Sequence, residues 1–115
     1  MTLLRNGQRR KMARPYSEVF LRELARADPE RVGVRLGRVC IKANLPTMYV
    51  AKALNVSRFS IHKWFRGEYL RDSNYIKVLS FIKLVDEGLV SGALPAASLS
   101  DAKAYLAMIR IKIVV

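Results

Sequence analysis

The side chains with the most distinctive types and spacing lie between Thr47 and Arg71. This segment is rich in cations and short hydroxyl side chains, and Glu68 is its only acidic residue. Guanidinium, ammonium and hydroxyl groups donate hydrogen bonds to phosphate oxygens, and the longer cations can also reach the edges of bases. The chemistry that this segment favours is therefore the binding of a polyanion.

Covalent catalysis and metal binding find little support in the composition. The chain has one cysteine (Cys40), one histidine (His62) and nine scattered acidic residues. Neither a nucleophile–base–acid set nor a metal site can be assembled from them, and no glycine-rich phosphate loop is present. We expect no enzyme activity, no cofactor and no bound metal. As the single cysteine, Cys40 cannot form an internal disulfide. We predict that its side chain is buried as a small apolar group and that the protein resides in a reducing compartment.

Positive charge is concentrated in two segments of the chain. The net charge is +12, of which residues 1–14 contribute +5 and residues 36–71 contribute +6. Such an uneven distribution favours a polyanionic partner over a generally solubilising surface. We predict that the first segment is a mobile basic arm. Its cations are Arg5, Arg9, Arg10, Lys11 and Arg14.

Composition and periodicity predict an all-α chain. With 115 residues, of which 51% are hydrophobic, it is long enough for a compact bundle of about five to six helices around one core. No apolar run approaches the roughly 20 residues of a membrane span, and no secretory signal follows the basic N-terminus. We predict a basic arm over residues 1–14, the main domain over residues 15–90, and a C-terminal helix or tail over residues 91–115 that either completes the core or forms a dimer.

Capping residues predict where the helices begin and end. Asp28 before Pro29 is a favourable N-cap for the second helix. Gly88 is predicted to end the fifth helix, which is apolar on much of its circumference. Residues 109–115 fit either a helix or a strand, because their apolar residues match both periods. The predicted helices begin near residues 15, 28, 47, 57, 72 and 98.

Two short helices around a tight turn are predicted for Thr47–Leu54 and Ser57–Phe65. Ala51 is small enough to let the two helices cross closely, and Asn55 tolerates the positive φ that the turn needs. Ser57 is a favourable N-cap for the second helix. The apolar residues expected to face the core are Val50, Leu54, Val56, Ile61 and Trp64.

This pattern resembles the helix-turn-helix of the Cro/CI-type (lambda-repressor-like) DNA-binding family. The resemblance covers about residues 32–67. The residues that carry it are Val50, Ala51, Leu54, Asn55, Val56, Ser57, Ile61, Trp64 and Gly67. The chain has Asn55 where the family often has glycine, and Thr47 and Arg58 where it often has glutamine, so the family's target sequences do not carry over.

The resemblance implies that the second helix of the pair enters the major groove of double-stranded DNA. The base-edge positions correspond to Arg58, Phe59 and Lys63, to which we add His62. For Phe59, packing against the protein is an equal alternative. The positions that contact phosphates correspond to Thr47, Ser57 and Arg66. The distribution of polar groups and cations adds Ser60, Arg71 and Lys52 as phosphate contacts.

We therefore predict a sequence-specific DNA-binding protein, a phage or bacterial transcriptional regulator that acts by occupying an operator in the cytoplasm, within the nucleoid. The basic arm would follow the duplex backbone or enter the minor groove. A homodimer is expected, through the fifth helix or the seam Leu99–Ile113, and RNA polymerase is a further candidate partner. The alternatives are a DNA-packaging or architectural DNA-binding protein and a polymerase-binding interaction module.

Overall fold

Residues 16–114 form six α-helices and no strand. The structure, a computed structural model, describes these residues. The all-α class predicted from the sequence is confirmed. The predicted basic arm, with all its cations, lies outside the described residues. The helices are α1 (Glu18–Arg26), α2 (Val32–Lys42), α3 (Thr47–Leu54), α4 (Arg58–Phe65), α5 (Asp72–Ser91) and α6 (Leu99–Val114).

Local sequence signals place α3 and α4 where they were predicted. The turn between them contains Asn55, whose φ of 58° and ψ of 47° lie in the left-handed region. Ser57 caps α4, because its Oγ accepts a hydrogen bond of 3.0 Å from the backbone N–H of Ser60. Gly67, with a φ of 92°, follows the end of α4. These local features mark the end of α3 and both ends of α4.

The predicted start of α2 is wrong by several residues. The helix begins at Val32, and Arg31 occupies the N-cap position without a side-chain capping bond. Asp28 instead closes a local turn, because its Oδ1 accepts a 2.9 Å hydrogen bond from the backbone N–H of Glu30. An aspartate that bonds to the chain two residues on favours a turn over a helix start.

The predicted end of α5 at Gly88 is also wrong. The helix continues to Ser91, and the terminating residue is Gly92, with a φ of 88°. Gly88 is buried inside the helix, where a Cβ atom would lie 2.7 Å from the hydroxyl oxygen of Tyr105 and 3.0 Å from Leu94 Cδ1. The absence of a side chain at residue 88 therefore serves close packing of α5 against α6 and the loop before it.

The two possibilities for the C-terminal tail are resolved in favour of a helix. Ser98 starts α6 by accepting a 3.1 Å hydrogen bond from the backbone N–H of Asp101. Ala102, Leu106 and Ile109 are buried, so the three-to-four-residue period prevails over the alternating one. Leu99, at the first turn, stays largely exposed.

One core joins the helices and holds the α3–α4 pair from several sides. α6 packs on α3, while α2 packs against both α4 and α5. Lys77 of α5 donates a 2.8 Å hydrogen bond to the carbonyl of Leu54, at the C-terminal end of α3. Tyr105 of α6 donates a 3.0 Å bond to the carbonyl of Leu84. Within residues 16–114, no helix combines the length and apolar character needed to cross a membrane.

Candidate nucleic-acid interface

The position of α4 is set by its buried side. Ile61, Trp64 and Phe65 lie in the core, and the sequence-based choice of Trp64 as a core residue is confirmed by an exposure of 5%. Gly33 of α2 lies so close to α4 that a Cβ atom on it would be 2.2 Å from the carbonyl oxygen of Trp64. α4 therefore packs closely against α2 at Gly33, and this contact determines which face of α4 points outward.

The outward face of α4 carries the cations predicted to contact DNA. Arg58 and Arg66 are exposed and Lys63 is half-buried, while Phe59 is 70% exposed. Because a helix repeats every 3.6 residues, burying Ile61 and Phe65 leaves Phe59, Lys63 and Arg66 on the opposite side. This part of the predicted site is therefore brought together on one short helix.

Phe59 does not pack into the core. The ammonium of Lys63 lies 5.4 Å from the centre of its ring, within the range of a cation–π interaction. Residues 59 and 63 are one helical turn apart, so this contact orders both side chains on the surface. Of the two roles predicted for Phe59, packing into the core is excluded, and contact with a base stays a prediction.

Glu68 is the acidic residue closest to these cations. One of its carboxylate oxygens lies 3.3 Å from Arg66 Nη2 and the other 4.0 Å from Lys63 Nζ. All three side chains are about half exposed, so each pair is screened by water and contributes roughly 0–1 kcal/mol. Such weak pairs leave Lys63 and Arg66 able to exchange Glu68 for phosphate oxygens.

A cavity of about 370 Å³ separates the start of α3 from α4, and Thr47, Arg58 and His62 line it together. His62 lies between two cations of its own helix. Partial burial, followed by the positive charges of Arg58 and Arg66, lowers the pKa of His62 below its ordinary value of 6.5. The free protein therefore favours the neutral imidazole, whereas a nearby phosphate would favour its protonated form.

The remaining predicted phosphate contacts are not all gathered on α4. Ser57 and Ser60 are hydrogen-bonded to each other at its N-terminus, with 3.1 Å between their hydroxyl oxygens. Arg71 is exposed at the N-cap of α5. Lys52 lies on the other side of α3, in a cavity that it shares with α6.

That second cavity contains residues that the sequence interpretation missed. Lys103 and Arg110 of α6 line it together with Tyr49 and Lys52 of α3. Lys103 is 51 residues after Lys52 in the chain, and no local motif links them. Only the packing of α6 against α3 brings these cations together, so no signal in the sequence could have identified the group.

Two other cations of the bundle donate hydrogen bonds to backbone carbonyls and so stabilise the fold. Lys77 satisfies the carbonyl at the end of α3, and Arg38 Nη2 donates a 3.4 Å hydrogen bond to the carbonyl of Leu24. Lys63 and Arg66 on the outward face of α4 differ from these two, because within the described residues their hydrogen-bonding and ionic partner is the exposed carboxylate of Glu68 rather than a backbone carbonyl.

The described part of the chain shows no arrangement typical of a metal or thiol site. No group of three or more histidine, cysteine or acidic side chains there could hold a metal ion. Cys40 is fully buried, and burial raises the pKa of its thiol far above the ordinary range. Its thiol is therefore a packed, protonated group rather than a nucleophile.

Comparison with known proteins adds no functional assignment. A function for this chain therefore has to be inferred from its own residues and their geometry. No protein-family model matches the chain, and no curated protein and no solved structure is significantly similar to it.

Proposed function

We propose that this chain binds double-stranded DNA at specific sequences and regulates transcription by occupying an operator. The observation that carries the proposal is the outward face of α4, where Lys63 and Arg66 lie on the same side as the exposed ring of Phe59, while the exposed Arg58 lines the neighbouring cavity at the start of α3. A helix of 8 residues is about 12 Å long, which fits a major groove about 12 Å wide. α3 and α4 would together form a helix-turn-helix.

Each exposed group on this helix has a matching group on the duplex. Arg58 can donate two hydrogen bonds to O6 and N7 of guanine, and Phe59 can contact the methyl group of thymine. Lys63 can reach a base edge or a neighbouring phosphate, and Arg66 a phosphate. The N-terminus of α4 adds the partial positive charge of a helix end, which favours phosphate binding there.

A second copy of the chain would double this contact. α5 exposes large apolar side chains on its outer side: Ile76 is 67% exposed and Val90 is 89% exposed, with Tyr75 and Leu79 partly exposed. Lys83, Asp86 and Glu87 lie among them, so the charges on this side are mixed. We propose that α5 packs against α5 of a second copy, placing two α4 helices on the half-sites of a two-fold-symmetric operator.

Selection of bound sites from random duplex DNA tests the proposal. We expect an enriched, two-fold-symmetric motif containing guanine, and a solution mass of two chains. The double variant Arg58→Ala, Lys63→Ala should lose the motif, whereas Arg22→Ala, an exposed cation of α1, should keep it.

Two results would contradict the proposed function. Equal binding of all duplexes would favour the architectural alternative, in which affinity comes from phosphates alone. Absence of DNA binding by the full chain, together with an intact fold, would leave the interaction-module alternative.

A further inference from the structure

The cavity between α3 and α6 is strongly basic. Its volume is about 410 Å³, and its lining contains Lys52, Lys103 and Arg110 but no acidic side chain. All three cations are exposed, and Tyr49 is half-buried among them. α3 and α6 thus present three positive charges to one concave surface.

Two of these cations converge on one aromatic ring. The ammonium of Lys52 lies 5.3 Å from the centre of the Tyr49 ring, and that of Lys103 lies 5.2 Å from it. The ring attracts each ammonium group but cannot neutralise either. Among residues 16–114, the ion pairs are those made by Glu68 next to α4, so no carboxylate compensates the pair at Tyr49. Converging cations without a counter-charge are suited to an anion.

The cavity adjoins the proposed DNA-binding surface. Tyr49 lines both this cavity and the one that contains Thr47, Arg58 and His62. The positive surface therefore continues from α4, across the side chain of Tyr49, to α6. A ligand with several linked anionic groups would contact both cavities, whereas a small free anion would occupy only one.

We propose that the α3–α6 cavity binds a backbone phosphate of the same DNA duplex that α4 contacts. Lys52, Lys103 and Arg110 would pair with the phosphodiester, and the hydroxyl of Tyr49 would donate a hydrogen bond to it. α6 then becomes a second DNA-contacting element, which anchors the duplex without adding sequence preference. This inference rests on the proposed function, because the phosphate belongs to DNA held by α4.

The salt dependence of DNA affinity tests the inference in the full chain. Each phosphate contact contributes about 0.9 to the slope of log affinity against log salt concentration. Because the cavity would hold one phosphate, the double variant Lys103→Ala, Arg110→Ala should lower that slope by about 0.9. It should also remove protection of backbone positions flanking the site, with an unchanged preferred sequence. Arg22→Ala, Lys112→Ala is the matched control, since it removes the same charge from exposed positions outside both basic cavities and outside the proposed α5 interface.

Different failures separate the inference from the proposed function. If the unsubstituted chain binds DNA and the Lys103, Arg110 variant keeps the slope of the control, the inference is overturned and the proposed function stands. Titration with inorganic phosphate tests whether the cavity binds a free anion instead of DNA. If inorganic phosphate binds in the cavity but the Lys103, Arg110 variant leaves the salt dependence of DNA affinity unchanged, the inference is also overturned. If the unsubstituted chain binds no DNA, both fail. Thermal unfolding checks that the variants are folded, and Lys103→Gln, Arg110→Gln repeats the test with larger side chains.

Discussion

The outward sides of α4 and α5 differ in what they leave uncovered. α4 carries Lys63 and Arg66 on the same side as Phe59, and the exposed Arg58 at its first residue, with no acidic side chain of its own. α5 exposes apolar side chains, of which Ile76 and Val90 are the most exposed, among charges of both signs. Both helices bury their other side in the same core.

The difference indicates two kinds of partner. Repulsion among like charges costs energy in the free protein, and a polyanion relieves it. An exposed apolar side with mixed charges gains most from another protein surface, because apolar area is removed from water and opposite charges can pair. A protein that used both would bind DNA through α4 and a second chain through α5. The four predictions that follow test this separation.

The largest effect is expected where α4 rests on α2. Gly33→Ala places a methyl group 2.2 Å from the carbonyl oxygen of Trp64, so α2 and α4 must move apart. We expect a loss of about 3 kcal/mol in the free energy of unfolding, measured by urea denaturation. Gly92→Ala, which meets no atom within 4 Å but has a φ of 88°, should cost only about 1 kcal/mol. A smaller cost at residue 33 than at residue 92 would show that the contact is easily relaxed.

Substitutions on the two outward sides should affect different properties. Lys63→Ala, Arg66→Ala should reduce DNA affinity about 10- to 100-fold and lower the salt slope by about 2, with no change in solution mass. Ile76→Ser, Leu79→Ser should reduce the mass to that of one chain and weaken operator binding, with no change in the salt slope per chain bound. Calorimetry at several salt concentrations measures the DNA affinity and its salt slope, and sedimentation measures the solution mass. The separation fails if either variant changes both the slope and the mass.

A smaller effect is expected from the carboxylate that pairs with the α4 cations. Glu68→Gln removes the partner of Lys63 and Arg66, so phosphate no longer competes with it. Exposed pairs contribute about 0.2–1 kcal/mol, which corresponds to an increase in DNA affinity of roughly 1.4- to 5-fold. Glu18→Gln on α1 is the control and should leave affinity per chain unchanged. Weaker binding by Glu68→Gln would mean that Glu68 positions the cations rather than competing for them.

The smallest effect is expected from the titration of His62. Its pKa is lowered in the free protein by burial and by Arg58 and Arg66, and a bound phosphate should raise it. DNA binding then takes up a proton, so affinity should rise as the pH falls from the pKa of the bound state towards that of the free protein, by at most tenfold per pH unit. Folding stability should change in the opposite direction, because the folded state disfavours the charged imidazole. His62→Gln should remove both pH dependences; an unchanged affinity profile would place His62 away from phosphate.

Short-range chemistry accounts for what could be predicted from the sequence. The bounds of α3 and the capping of α4 follow from Pro46, Asn55 and Ser57, whose effects act within a few residues. The same limit explains the two errors. Asp28 could cap a helix, but its side chain accepts a hydrogen bond within its own turn. Gly88 could end a helix, but it lies inside α5, where the lack of a side chain allows close packing against Tyr105.

In the candidate site, too, the features set by short-range effects could be predicted from the sequence, and those set by packing could not. Helical periodicity is sufficient to place Phe59 and Lys63 opposite a buried Ile61, because all three lie on one helix. Arg58, three residues before Ile61, lies at the edge of the buried side. Periodicity could not choose between core and surface for Phe59, since that depends on whether another element covers it.

The sequence by itself determined the helical class, the paired helices α3 and α4, and the cations on the second of them. The tertiary structure alone decided that Phe59 and the outer side of α5 stay uncovered and that Lys52 meets Lys103 beside Tyr49. The physical reason is range. Capping and periodicity act over one or two turns of a helix, whereas the contact of α6 with α3 joins residues about 50 positions apart through burial of a shared core.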